Sequence, residues 1–449
     1  MRNNGRTIAA ISTPQGIGGI SVIRVSGDSA IDICDRIFKG KNSLLDAKSH
    51  TVSYGHIVDK SGEIIDEVLV TVMREPRTYT RENVVEISTH GGFVAAKRVL
   101  ETLILGGAYP AEAGEFTKRA FLNGRIDLSQ AEGVIDIINA KTELEEKNAL
   151  FQAKGGLFKK ISEIRGDLVH LAAQMQVAID YPDEDLEDVT TDDIKNALQK
   201  AENAVLQMID TRDSGRIIKE GIKTAIVGKT NVGKSSLLNR LAGEDRAIVT
   251  DISGTTRDVI EEFVNLDGVP LRLLDTAGIR DTEDAVEKIG IERAKKTIDE
   301  AELVILVLDL SRKTDNEDET LFELVKDKKV ITVANKCDIK SENIDADVEL
   351  SSKTGEGIDK LVKIIKKMYN FAEIDWGNSA VITNARHLSA LGHTKEALSR
   401  AIEQLNGGMP QDIAALDINE AIDFLGEITG ETVSEDIIAE IFHSFCVGK

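Results

Sequence analysis

Two stretches of this chain carry residues whose types and spacing can handle a nucleotide. Gly228-Lys229-Thr230-Asn231-Val232-Gly233-Lys234-Ser235 fits G-x-x-x-x-G-K-[ST], the phosphate-binding P-loop. Thr224 to Val227 before it reads as a buried strand, and Ser236 to Ala242 after it as a helix closed by Gly243. A glycine-rich turn at a helix N-terminus aims backbone N–H groups at an anion, and the helix dipole adds to the attraction. Lys234 would neutralise β/γ-phosphate charge, and Ser235 would hold Mg²⁺. The second stretch, Asn335-Lys336-Cys337-Asp338, lies at the end of a strand. A carboxylate at Asp338 accepts from guanine N1–H and the 2-amino group, which adenine does not match. An adenine there would leave a carboxylate unpaired. Ser352, with Ser351 and Lys353, would steady the base from the other side.

Two further elements lie between these in the order a guanine-nucleotide switch requires. Thr256, in Gly254-Thr255-Thr256, can offer a hydroxyl to Mg²⁺ and its N–H to the γ-phosphate. Asp275, in Asp275-Thr276-Ala277-Gly278, can hold Mg²⁺ through water, while the Gly278 N–H contacts the γ-phosphate. Together the four elements predict GTP binding. The next residue is Ile279, in the region where Ras-like enzymes keep a water-orienting glutamine. Isoleucine cannot orient water, so hydrolysis is poor or another group does the work. Glu287 is the best nearby candidate; the other reading of it is a surface helix carboxylate. No arginine finger can be assigned, and Asn231 is a possible ligand for a monovalent cation.

These residues need a sheet to hold them. A hairpin with Asp267-Gly268 at its turn joins Ile260–Leu266 to Val269–Leu274. Glu302 to Asp309, Lys329 to Ala334 and Val348 to Leu350 read as further strands alternating with helices. That predicts a parallel-dominated sheet with helices on both faces, over about 219–375. Residues 1–118 read as an α+β domain. Strands Thr7–Thr13 and Ile20–Ser26 precede a helix Asp28–Phe38, and a strand Asn83–Thr89 precedes a helix Phe93–Leu105. Arg24 shares a strand face with Ile20 and Val22, so it requires a carboxylate or an anionic ligand as partner. Gly91-Gly92 reads as a tight turn in preference to an anion site, and His90 as a turn residue in preference to a base.

Residues 119–218 and 376–449 are helical in period, with Leu128–Ile138, a run to Ile179, Asp192–Ile209, Asn384–Gln404 and Ile413–Thr429. Ser434 is placed to cap Glu435–Phe445, whose apolar stripe is Ile437, Ile438, Ile441, Phe442 and Phe445. The acidic stretch Asp180 to Asp188 reads as a solvated linker; it lacks the spacing and glycine of a calcium loop. The simplest organisation joins both helical segments into one bundle with the P-loop module inserted between them.

Composition limits the alternatives. Apolar residues make up 41% of the 449, enough for folded cores. A formal net charge of −22 argues against an overall electrostatic grip on nucleic acid, so such a role needs a local basic patch or a basic partner. Cys34, Cys337 and Cys446 form neither a disulfide framework nor a zinc pattern, which points to a reducing compartment. The residues after Met1 lack a signal-peptide apolar run, and Leu303–Leu310, interrupted by Asp309, is too short to span a bilayer. A cytoplasmic protein with no membrane association is expected.

The whole chain resembles the MnmE (TrmE) family of tRNA uridine-modification GTPases. The resemblance rests on Pro14 to Gly27, Val85-Glu86-Ile87-Ser88-Thr89-His90-Gly91-Gly92, Gly114 to Gly124, Gly254-Thr255-Thr256-Arg257-Asp258 and Phe445-Cys446-Val447-Gly448-Lys449. It implies an α/β multidomain protein: an N-terminal α+β tetrahydrofolate-binding and dimerisation domain (1–118), a discontinuous helical bundle (119–218 and 376–449, the latter ending in Cys-x-Gly-Lys) and an inserted Ras-like P-loop G domain (219–375). It implies a homodimer that joins an MnmG (GidA)-type partner using FAD and NADH, in a heterotetramer or larger complex. With tRNA as substrate and 5,10-methylene- or 5-formyl-tetrahydrofolate as one-carbon source, the complex adds an aminomethyl-type group, such as carboxymethylaminomethyl, to C5 of the wobble uridine. The folate site carries onto Arg24, Glu86, Arg125 and Lys449, with arginine at 125 where lysine is frequent. Potassium carries onto Asn231, Thr250, Ile252 and Thr255, and Mg²⁺ onto Ser235 and Thr256. The GTP set is Asn231-Val232-Gly233-Lys234-Ser235-Ser236, Thr250-Asp251-Ile252-Ser253-Gly254-Thr255-Thr256, Asp275-Thr276-Ala277-Gly278, Asn335, Lys336, Asp338 and Ser351-Ser352-Lys353. Glu287 aligns with the hydrolytic glutamate, and Asp275 joins it as a catalytic candidate. In the family, potassium and dimerisation of the G domains across the nucleotide replace an arginine finger. Cys446 stands open between a nucleophile and an inert thiol. A ribosome-assembly GTPase and a helical scaffold with a slow GTP switch are the competing readings; the first normally appends a basic RNA-binding module, which this chain lacks.

Overall fold

A computed structural model describes residues 5–14, 16–180, 190–244, 262–274, 295–369 and 381–449. The chain divides into two compact units, Met1–Ile135 with Gln152–Glu184 and Ala415–Lys449, and Asp136–Phe151 with Asp185–Ala414.

The first unit is built on β1 (Ile8–Ile11), β2 (Ile20–Ser26), β3 (Phe38–Gly40), β4 (Thr51–Val58), β5 (Ile64–Met73), β6 (Val84–His90) and β7 (Tyr109–Pro110). They form one sheet in the order β3-β4-β5-β6-β2-β1-β7, antiparallel except for the β1–β7 pair. Alternate residues Ile23, Val25, Val70, Val72, Val85 and Ile87 point to one face. Helices Ala30–Ile37 and Phe93–Leu105 cover that face with Ile33, Cys34, Val99 and Leu103. The period-2 reading of β2 therefore holds, and Arg24 lies on the face away from this core. The β4–β5 hairpin was not read from the sequence; its strands alternate more weakly, with Val52, Tyr54, Ile64 and Leu69 exposed.

A smaller core in this unit gathers Leu128, Ala131, Phe442 and Phe445, with Phe121, Ile438 and Ile441 against it. The rings of Phe442 and Phe445 lie 5.3 Å apart. The last helix spans Glu435–His443, shorter than expected. Ser434 stands at its N-cap, but its side chain makes no capping bond, and Ile437 is exposed and outside the stripe. Beyond this helix, Val447 bridges Ala113, and the Phe116 N–H donates to the Lys449 main-chain oxygen at 3.1 Å. Gly448 has φ +96°, and a Cβ there would stand 2.5 Å from the Ile11 carbonyl oxygen, so only glycine lets the chain pass this close to β1.

The second unit carries β8 (Ile222–Val227), β9 (Glu262–Leu266), β10 (Val269–Leu273), β11 (Leu303–Asp309), β12 (Lys329–Asn335) and β13 (Val348–Glu349). The sheet order is β13-β12-β11-β8-β10-β9, parallel except for β9–β10. β11 is buried along its whole length, as a near-continuous apolar run in a parallel sheet requires. Asp267 (φ +49°) and Gly268 (φ +88°) make the two-residue turn expected between β9 and β10. Helices Lys234–Glu244 and Ile358–Met368 pack on the sheet through Leu237, Leu238, Leu361 and Ile365. Helix Thr191–Ile209, with a Thr190–Asp193 capping box, packs along Ala385–Asn406. Leu144 packs against the sheet core, and the Lys141 ammonium lies 3.8 Å from the centre of the Phe263 ring. No described helix is long and apolar enough to cross a membrane.

Phe442 is 1% exposed, and its ring joins the last helix to Phe121. Phe442→Ala is therefore expected to destabilise the first unit by about 3–5 kcal/mol. Urea unfolding would measure it; a loss below about 1 kcal/mol would show that the small core collapses around the gap.

Candidate functional site

β8 delivers the chain into the P-loop, and the helix Lys234–Glu244 leaves it. Gly233 has φ +99°, and a Cβ there would collide with the Asn335 amide, so glycine is demanded by both dihedral and contact. Asn231 adopts φ +64°, a region asparagine tolerates better than most side chains. Lys234 Nζ donates to the carbonyls of Gly228 (2.8 Å) and Lys229 (2.6 Å), and burial lowers its pKa. A desolvated ammonium curled over the loop fits a phosphate, whose charge offsets that burial. Lys229 instead faces outward and bonds Asp315 (2.6 Å) and Glu317 (2.7 Å), tying the loop to the start of helix Asn316–Val325.

The base-reading edge forms where β12 ends. The Asn335 Nδ2 donates to the Val232 carbonyl at 2.8 Å, and its Oδ1 accepts from Ser352 N and Oγ, both at 2.9 Å. Both ends of this amide are thus occupied in joining the P-loop to the Ser351–Lys353 loop. Asp338, the residue expected to read the base, is exposed in the short turn Cys337–Ile339. Lys336 adopts φ +65° and its Nζ bonds Asp309 Oδ2 at 2.6 Å. Burial would raise the Asp309 pKa, but hydrogen bonds from Lys336 and Ser311 outweigh it and hold the carboxyl below its usual range. Asp309 thus holds Lys336 in place, a partner not singled out in the sequence. Its signal was there: one carboxylate in an otherwise apolar strand. Ser351 and Ser352 are buried and Lys353 is exposed.

Thr250-Asp251-Ile252-Ser253-Gly254-Thr255-Thr256, Asp275-Thr276-Ala277-Gly278, Ile279 and Glu287 lie outside the described residues, as does the acidic stretch from Tyr181 to Asp188.

In the first unit the four residues of the second expected site come together. Arg24 Nε bonds Glu86 Oε1 at 2.9 Å, directly across the β2–β6 register, and its NH1 donates to the Gly448 carbonyl at 3.3 Å. The Arg24 guanidinium lies 5.3 Å from the Tyr79 ring and 5.6 Å from that of Phe116, and Arg125 lies 4.7 Å from Tyr79. Lys449 is half-buried; burial first, then the charge of Arg24, lowers its pKa, with Glu86 opposing. Three cations, one carboxylate and two aromatic rings suit a flat ligand bearing negative charge. Tyr79 lies in no motif that betrays it, and Phe116, although inside the Gly114 to Gly124 stretch, carries no sign there that its ring would meet Arg24. Cys446 is exposed beside this cluster.

His90, at the end of β6, pairs with Asp66 through Nδ1 (2.7 Å) and its backbone N–H (2.8 Å). The hydrogen bond and charge of Asp66 raise the His90 pKa. Of the other cysteines, Cys34 is buried, and its thiol is pushed far up by burial and then by Asp35.

A P-loop on a mostly parallel sheet, facing an Asn-Lys-x-Asp edge, defines a P-loop GTPase. The model of the GTP-binding protein TrmE N-terminus matches residues 7–125, and that of the MnmE helical domain residues 128–446. A tRNA modification GTPase MnmE of Acetivibrio thermocellus is 48% identical over 99% of both chains, and one of Listeria innocua is 48% identical with the same coverage. The solved G domain of the T. maritima FeoB iron transporter is 29% identical with a TM-score of 0.25, covering 33% of this chain and 98% of its own. The chain belongs to the MnmE/TrmE family of tRNA modification GTPases.

Two outcomes follow from these contacts. Asn335→Ala removes the bonds linking three segments and should weaken GDP binding roughly 10- to 100-fold, or about 1.5–3 kcal/mol. Calorimetric titration reads this, and unchanged affinity would show that the tie is dispensable. For His90, a raised folded pKa gives stability that is full below the unfolded value of about 6.5 and is lost as pH rises through the folded pKa. Asp66→Asn should lower the His90 midpoint in an NMR titration; an unmoved midpoint would rule out Asp66 as the cause.

Proposed function

We propose that this chain is a potassium-stimulated GTP hydrolase that modifies C5 of the wobble uridine in certain tRNAs, working with an MnmG-type partner that uses FAD and NADH. The observation that carries the reading is the presence, in one chain, of the Lys234–Asn335–Asp309 nucleotide framework and the Arg24–Glu86–Lys449 cluster with Arg125 over Tyr79. The curated relatives named above as tRNA modification GTPases support it.

In this reading the domains fall at 1–118, 119–218, 219–375 and 376–449, the two helical segments forming one domain, and the protein works as a cytoplasmic homodimer. Lys234 binds the β/γ-phosphates, Ser235 and Thr256 hold Mg²⁺, and Asp275 orients it through water. Asn231, Thr250, Ile252 and Thr255 hold K⁺, which supplies positive charge as phosphate negative charge builds up. Glu287 orients the attacking water. Arg24, Arg125 and Lys449 bind the anionic part of a tetrahydrofolate and Glu86 its pterin N–H groups. That cofactor supplies the one-carbon unit for the uridine.

Deleting the gene and analysing bulk tRNA nucleosides by mass spectrometry tests the activity: C5-modified wobble uridine should disappear, and an unchanged profile would sink the proposal. For the hydrolysis step, turnover in KCl should exceed that in NaCl by at least about tenfold, an effect of the size expected when a charge-stabilising group is supplied. Glu287→Ala should leave GDP affinity intact and cut turnover by roughly 10²–10⁴. Full activity in that variant would return Glu287 to a surface carboxylate.

A further inference from the structure

Two guanidinium groups of the first unit share one aromatic ring, and they are not held alike. Arg24 lies 5.3 Å from the centre of the Tyr79 ring, and Arg125 lies 4.7 Å from it. Arg24 has two further anchors, Glu86 Oε1 at 2.9 Å and the Gly448 carbonyl at 3.3 Å. Arg125 is exposed, and among the described residues its guanidinium makes neither a hydrogen bond nor an ion pair, so the Tyr79 ring is what meets it. A tyrosine face carries the negative part of the ring quadrupole; it attracts both cations and offsets their mutual repulsion.

The ring itself is braced from behind. Tyr79 Oη and Thr117 Oγ1 form a hydrogen bond of 2.9 Å, and Thr117 is buried in the helix Glu115–Leu122. The residues on either side of Tyr79 are tied down as well. Thr78 Oγ1 donates to the Glu82 carbonyl at 2.7 Å, and Asn123 Nδ2 donates to the Thr80 carbonyl at 2.6 Å. Arg119, on the same helix as Thr117, donates from NH1 to Glu82 Oε2 at 3.1 Å, with both residues buried. An exposed arginine samples many rotamers, and ordering it on binding costs affinity. A fixed ring beside it removes part of that cost in advance. We propose that Tyr79 is a positioning residue: braced by Thr117, its ring holds Arg125 in place for the anionic tail of the tetrahydrofolate. Arg24, with its own carboxylate and carbonyl, depends on the ring far less. This inference rests on the folate reading of that cluster.

The test titrates the full chain with 5-formyl-tetrahydrofolate and with 6-methyltetrahydropterin, which keeps the reduced ring system and lacks the tail. The unaltered protein should prefer the tailed ligand. Tyr79→Leu should weaken 5-formyl-tetrahydrofolate roughly three- to tenfold, the worth of one cation–π contact, while the pterin changes by less than about twofold. The retained pterin affinity also shows that the variant is folded. In an Arg125→Ala background the same Tyr79→Leu change should cost nothing further, because a pairwise interaction is lost once either partner is gone. Tyr79→Phe, which keeps the ring and loses the Thr117 bond, should lose less than Tyr79→Leu. No loss in Tyr79→Leu, losses that multiply in the double variant, equal losses for both ligands, or Tyr79→Phe as weak as Tyr79→Leu would overturn the role of Tyr79. Absence of any preference for the tailed ligand in the unaltered protein would overturn instead the assignment of these cations to a folate tail.

Discussion

The nucleotide half of this molecule depends on one buried amide. Asn335 ends β12 and spends its Nδ2 on the P-loop carbonyl of Val232 and its Oδ1 on Ser352. Both groups are shielded from water, so replacing either bond by solvent is not possible without opening the site. Gly233 and Asn335 are mutually required: the amide occupies the space a Cβ would take. The phosphate loop, the base-reading strand end and the loop beyond β13 thereby become one rigid object. Around it the charges are placed economically. Lys336 is held by Asp309, and Lys229 is turned outward to Asp315 and Glu317, so that Lys234 is the lysine directed over the loop.

The first unit uses a different device. The residues around Arg24 are assembled from β2, from Tyr79 ahead of β6, from β6 itself, from Phe116 and Arg125, and from the last residues of the chain, where glycine at 448 is the only residue type that can pass so close to β1. The cluster is locally basic although the protein carries a net charge of −22. A strongly acidic chain can still hold an anion when a few cations are gathered at short range and partly removed from water, where screening is weak. Arg24 shows how such a group is kept: its carboxylate partner Glu86 leaves part of the guanidinium for a carbonyl and for the faces of Tyr79 and Phe116.

Much of this was legible in the chain itself. The P-loop, the Asp267-Gly268 turn and the buried run of β11 are patterns of neighbouring residues, and each is set by dihedral preference or periodicity within a few positions. The need of Arg24 for a partner was also readable, because a half-buried cation on a strand face has to be met. Ile437 and Ser434 show the limit at short range: the periodic stripe and the cap residue were visible, but whether a side chain finds its contact depends on what packs there.

By itself, then, the sequence determined the kinds of chemistry present and the local elements that carry them. Only the tertiary structure decided which groups meet. Arg24 and the Gly448 carbonyl are 424 residues apart in the chain, and Asn335 and Val232 are 103 apart. Asp309 became a partner of Lys336 because β11 and β12 lie side by side in register. Such pairings are set by sheet order and by the packing of whole elements, which carry no signature in the few residues on either side of each contact.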